Sequence, residues 1–147
     1  MQQIKEILAL IPHRPPFLWV DRIIACAENW IITEKDIAPD LDVFHGHYPG
    51  NPIMPGVILC EAIFQSGALL MAKRNSPRSQ GEFQLPVLTR IGGAKFKKPV
   101  FPGDTVQIKV TLTETIANAC FFQGTLKVAE KVAVIVDFVC AMVKSPP

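Results

Sequence analysis

Apolar residues at Ile4, Ile7, Leu8 and Ile11 recur at three- and four-residue steps, which predicts a short amphipathic helix over 4–11. Pro12 ends it, and His13-Arg14-Pro15-Pro16 is a rigid turn. Residues 17–27 and 30–37 are rich in aliphatic and aromatic positions and read as two strands joined by a hairpin at Glu28-Asn29. Periodicity is lost over 40–56, a long loop stiffened by Pro49, Pro52 and Pro55. Loops of this length inside a small domain are usually functional. Residues 57–74 are apolar on every side, the pattern of a helix buried all round. A polar connector over 75–81 leads to four strand-like runs at 86–97, 105–115, 119–129 and 131–143. The stretch Thr105-Val-Gln-Ile-Lys-Val-Thr-Leu-Thr alternates strictly, one face apolar and one polar. Pro102-Gly103-Asp104 and Ala129-Glu130-Lys131 are turns, and Pro146-Pro147 is a frayed end. One all-round apolar helix needs a curved antiparallel sheet to wrap it. The expected fold is therefore α+β, a hot-dog architecture in one domain spanning 1–147.

Composition narrows the picture a little. A hydrophobic share of 49% with 19% charged residues excludes disorder. The positive mean hydropathy suggests apolar surface covered by a second subunit or lining a pocket. A net charge of +2 gives no argument for nucleic acid. Cys26, Cys60, Cys120 and Cys140 form no CxxC pair and no metal spacing, so no metal or organic cofactor is expected. Met1-Gln2-Gln3-Ile4-Lys5 lacks a charged-then-apolar leader, and the apolar run over 57–72 falls short of the roughly 20 residues of a membrane span. Cytoplasmic, with reduced thiols and no membrane insertion, is the expectation.

The chemistry is concentrated at the end of the long loop. Pro49, Gly50, Pro52 and Pro55 hold His47 close to a helix start at Gly56-Val57. Backbone N–H groups there have no internal acceptor and the helix dipole is positive, so they suit a carbonyl oxygen or an oxyanion. Glu61 lies five residues on, about 7–8 Å along the axis at 1.5 Å per residue. A carboxyl inside an otherwise apolar helix is out of place unless it has a task. His47 is placed to take a proton alpha to the bound carbonyl, and Glu61 to protonate a leaving hydroxyl at the beta carbon. That is beta-elimination of water.

The run His47-Tyr48-Pro49-Gly50-Asn51-Pro52-Ile53-Met54-Pro55-Gly56-Val57, followed by Glu61-Ala62 and Gln65, closely resembles the signature of the (3R)-hydroxyacyl-ACP dehydratases of bacterial type II fatty acid synthesis. Residues 10–22 are similar to the same family's N-terminal segment, and 95–104 to its late segment. The resemblance implies a hot-dog homodimer, commonly assembled as a hexameric trimer of dimers. It implies acyl carrier protein as partner and an active site shared between protomers. It also implies His47 and Glu61 as the catalytic pair, from different protomers. The Gly56 amide, with Val57 beside it, would bind the thioester carbonyl, and Gln65 would orient Glu61. Two positions depart from the family pattern: Phe64 replaces a small residue, and Gly92-Gly93 stands where an Asp is usual. Phe64 is expected to reshape the acyl tunnel.

Other readings of single residues are blander. His45 is expected to make a loop hydrogen bond and His13 to brace its turn. Cys60 faces away from its neighbour Glu61 and is expected to pack. Lys95, Lys97 and Lys98 with Lys73, Arg74 and Arg78 form a candidate basic patch for an acidic carrier. Phe64, Leu69, Met71, Phe83 and Phe96 are candidate tunnel-lining residues. Rival functions are a dehydratase that also isomerises the double bond, a hot-dog thioesterase, and a non-catalytic acyl-binding hot-dog protein. The isomerising group carries Asp on the helix, where this chain has Glu61.

Overall fold

The order of elements follows the hydrophobic pattern: α1 (Gln2–Leu10), β1 (Arg22–Cys26), β2 (Trp30–Asp36), α2 (Val43–Gly46), α3 (Gly56–Asn75), β3 (Gln84–Phe96), β4 (Thr105–Ile116), β5 (Ala119–Val128) and β6 (Lys131–Lys144). The structure, a computed structural model, describes residues 1–75 and 84–144. Most of the connector, together with Arg78, Phe83 and the terminal prolines, lies outside them. The six strands form one sheet in the order β1-β2-β4-β5-β6-β3, antiparallel throughout. It wraps α3, giving the α+β hot-dog fold.

Burial follows from the two periodicities. On β4 and β5 alternate residues, among them Val106, Ile108, Val110, Phe122 and Leu126, are buried against α3. From α3, Ile63, Leu69 and Leu70 are fully buried, each contributing about 1.5–3 kcal/mol. Two glycines set how closely the layers approach. A Cβ on Gly67 would lie 2.9 Å from the Phe138 ring, and one on Gly124 would run into Ile63. The two buried hydroxyls of this core are satisfied: Ser66 Oγ donates to the Ala62 carbonyl at 2.8 Å and shares a 2.7 Å bond with Thr33 Oγ1. The buried Trp19 Nε1, by contrast, has no hydrogen-bond partner among the described residues. At 20 residues α3 is long and apolar enough to cross a membrane, contrary to the length expected from sequence. Its apolar surface is instead largely taken up by the sheet, with 61% of its 18-residue span buried.

Two local expectations change, and one turn is made by unusual residues. The first strand is shorter than 17–27, because the Trp19 N–H leaves the ladder to donate to Gln65 Oε1 at 2.8 Å. The long loop contains a helical turn, α2, with Phe44 buried beneath it. The β5–β6 hairpin turns on Ala129-Glu130 with φ of 48° and 67°, left-handed values usually given to Asn-Gly.

Candidate active site

His47 is the first residue after α2, and its N–H donates to the Val43 carbonyl at 3.2 Å. Its ring is fixed by Nδ1, 2.8 Å from the Ile53 carbonyl. A carbonyl only accepts, so Nδ1 carries hydrogen and the neutral ring keeps its lone pair on Nε2. The Tyr48 ring packs edge-on at 4.6 Å. Met54 N–H donates to the Val100 carbonyl at 2.8 Å, pinning the loop to the segment after β3. The prolines thus have a measurable product, a histidine with one defined basic nitrogen.

At the start of α3, Ile58 and Leu59 N–H both donate to the Pro55 carbonyl. Gly56 and Val57 precede them and have no intrahelical acceptor. Val57 is 73% exposed, and Gly56 lies under the Phe96 ring of β3. A Cβ at 56 would sit 2.8 Å from that ring, so only glycine lets Phe96 close over the helix start.

Glu61 is not the fully buried carboxylate that the pattern implied: its side chain keeps 23% exposure. One oxygen, Oε1, receives Gln65 Nε2 at 3.1 Å. Gln65 is 1% exposed and fully engaged, also donating to the Phe17 carbonyl at 2.9 Å while accepting from Trp19 N–H. The same Oε1 lies 3.7 Å from Nε2 of His13. His13, assigned from sequence only to its turn, thus faces the helix carboxyl. Among the described residues no hydrogen bond or ion pair joins His47 to Glu61 within the chain.

The remaining candidates divide. Phe64 is half-buried, its ring 4.8 Å from Phe138, which stacks on Phe122 at 4.9 Å. Leu69 and Met71 are core residues instead of tunnel lining. Cys60 is buried, and burial pushes its thiol pKa up, as packing requires. His45 is exposed, 3.9 Å from Asp42 Oδ1. The basic patch is split along α3, whose 20 residues span about 30 Å. Lys73 pairs with Glu6 at 2.6 Å and Arg74 bonds Asn29 Oδ1 at 2.9 Å, both at the far end of the helix. Lys95, Lys97 and Lys98 flank Phe96 at the near end, where the Lys97 and Lys98 N–H groups tie to the Ala133 carbonyl. Beside Gly92, the space is filled by Asp137 of β6, whose Cβ lies 3.2 Å from where a side chain would begin. Among the described residues no three His, Cys, Asp or Glu side chains gather as metal ligands.

A six-stranded sheet around one apolar helix, fed by a proline-framed histidine loop, defines a hot-dog domain with acid–base side chains at the helix start. A family model for the FabA-like domain matches residues 11–137, and the chain belongs to that family. A 3-hydroxyacyl-[acyl-carrier-protein] dehydratase FabZ of Caulobacter sp. (strain K31) is 38% identical over 97% of this chain and 87% of its own. The dehydratase of the same name from Chloroflexus aggregans is 42% identical over 90% of each. Among solved structures, the dehydratase heterocomplex ApeI:P from Xenorhabdus doucetiae superposes with a TM-score of 0.78 at 16% identity, over 93% of this chain and 90% of that one. A hypothetical thioesterase with coenzyme A from Streptococcus pneumoniae superposes at 0.66 and 11%, over 99% and 98%. At such identities both speak for the fold alone.

Proposed function

We propose that the chain, read as one domain over 1–147, is a (3R)-3-hydroxyacyl-ACP dehydratase that works as a homodimer. The observation that carries the reading is the Ile53 carbonyl on His47 Nδ1, which leaves Nε2 as a directed base. The thioester carbonyl accepts from Gly56 and Val57 N–H, which makes the alpha carbon more acidic. His47 Nε2 removes the alpha proton, and that electron pair becomes the C=C bond. Glu61 gives its proton to the beta hydroxyl as the C–O bond breaks, so water leaves and trans-2-enoyl-ACP remains. The proton on His47 then returns to Glu61 through solvent. Gln65 holds Glu61, and Phe64 against Phe138 limits the space for the acyl chain.

Within one chain His47 and Glu61 make no bond to each other, each being engaged elsewhere, which supports a site assembled from two protomers. A cover for β3 supports the same reading: Val87, Leu88, Ile91 and Phe96 stand exposed along this edge strand. Lys95, Lys97 and Lys98 at the same end suit an acidic carrier protein delivering its acyl arm past Phe96. A hexamer of three such dimers and a cytoplasmic setting with reduced thiols complete the reading.

The test is a hydratase and dehydratase assay with crotonyl and longer enoyl thioesters. Wild type is expected to interconvert enoyl and 3-hydroxyacyl forms, with His47→Ala and Glu61→Gln each reduced by about 10²–10⁴-fold. Full activity in either variant refutes the mechanism. Free acid in place of enoyl product moves the assignment to a thioesterase.

A further inference from the structure

Glu61 Oε1 faces two side chains, and only Gln65 belongs to its own helix. The other, His13, is held by the turn after α1, where the Arg14 guanidinium donates to the carbonyls of Leu8, Ile11 and His13 at 2.7–2.9 Å. The His13 ring places Nε2 3.7 Å from Oε1, while Nδ1 is buried with no hydrogen-bond partner among the described residues. A neutral imidazole carries one N–H. On Nδ1 it would be a buried orphan donor, a loss of about 1–3 kcal/mol, whereas on Nε2 it points at a carboxyl oxygen. The tautomer is thereby chosen as Nε2–H.

We propose that His13 is a positioning residue for Glu61: its Nε2–H and the Gln65 amide both address Oε1, which confines the transferable proton to Oε2. A carboxyl proton does not share an oxygen that already faces two donors. The gap of 3.7 Å exceeds a hydrogen bond, as contacts between catalytic side chains commonly do before substrate binds. Burial lowers the His13 pKa from its usual value, with Glu61 opposing and Arg14 adding to the effect. The ring is therefore neutral at pH 7 and does not lock Glu61 into an ion pair. The charged or titratable groups facing this cluster are Arg14 from the turn, Glu61 from α3 and Cys140 from β6.

The role in turnover rests on the dehydratase reading, but the tautomer does not, so two measurements keep the two claims apart. ¹⁵N imidazole NMR of the whole protein at pH 7 is expected to show His13 protonated on Nε2 and bare on Nδ1. An Nδ1–H tautomer or an imidazolium overturns the proposal, whatever the enzyme does. In the assay, His13→Ala is expected to lower kcat about tenfold with KM within about twofold. His13→Gln, whose amide nitrogen falls about where Nε2 was, is expected to restore kcat to within about threefold of wild type. Unchanged kcat in His13→Ala, or a loss confined to KM, refutes positioning. A folded wild type inactive on every enoyl thioester strikes the dehydratase reading instead and leaves the NMR result to decide.

Discussion

The sheet has two edges, and they are built in opposite ways. β1 is five residues long, broken by a bulge between Ile23 and Ala25 and packed beside α1. Its one cation, Arg22, is tied to Glu34 at 3.1 Å and to Asp36 at 2.7 Å across β2. Short length, a bulge, charge and a covering helix are the usual protections of an edge. β3, by contrast, runs 13 residues, and from Val87 onward every residue is exposed. Two bulges and Pro86 interrupt it, yet Val87, Leu88, Ile91 and Phe96 stay uncovered. One edge is finished within the chain and the other is left uncovered by it.

Charging β3 gives the largest expected effect. Leu88→Glu with Ile91→Glu is expected to yield a folded monomer by sedimentation, with kcat/KM down at least about 100-fold as the two half-sites part. An active monomer would sever the link between that edge and the site. At the β1 edge the effects are smaller. Hydrogen bonds from Arg22 first, then Thr105, hold the Asp36 carboxyl at about 2, below its ordinary value. A depressed carboxylate stabilises the fold above pH about 4 and loses that contribution as pH falls toward 2. Asp36→Asn is therefore expected to flatten stability over this window, by less than about 1 kcal/mol because the group is half exposed. Chemical denaturation at pH 5, 4 and 3 measures it. The smallest effect involves no energy. A thiol reagent on the native protein is expected to label one cysteine, Cys26 on β1, and to reach Cys60, Cys120 and Cys140 only on unfolding. Cys140 lies opposite Leu88 behind β3, and burial pushes its thiol up to about 12.

The elements whose burial depends on local alternation were legible in the sequence. β4, β5 and β6 match their expected runs within a residue, and α3 differs by one residue at each end. Residues 17–21 carry a strand pattern yet leave the ladder, because the Trp19 N–H finds its acceptor 46 positions away, on Gln65. No local pattern records that choice. α2 escapes the pattern because four residues carry too little period, although buried Phe44 is a signal of it. In the site, His47, Gly56 and Glu61 stood out because each breaks the expectation of its surroundings. His13 did not: a histidine in a proline turn looks ordinary until the fold carries it to Glu61. Lys73 and Arg74 looked like neighbours of Lys95 on a charge count, and only the length of α3 separates them.

Positions 63 and 124 are expected to drift as a pair among descendants of this chain. Gly124 exists because the Ile63 branch occupies the place where its side chain would begin. A lineage that gains alanine at 124 must first shorten residue 63, to valine or alanine, or pass through a weakened ancestor. Either order leaves a correlated change across two elements 61 residues apart. Aligned genomes would record this core contact as a historical coupling that no single-site profile shows.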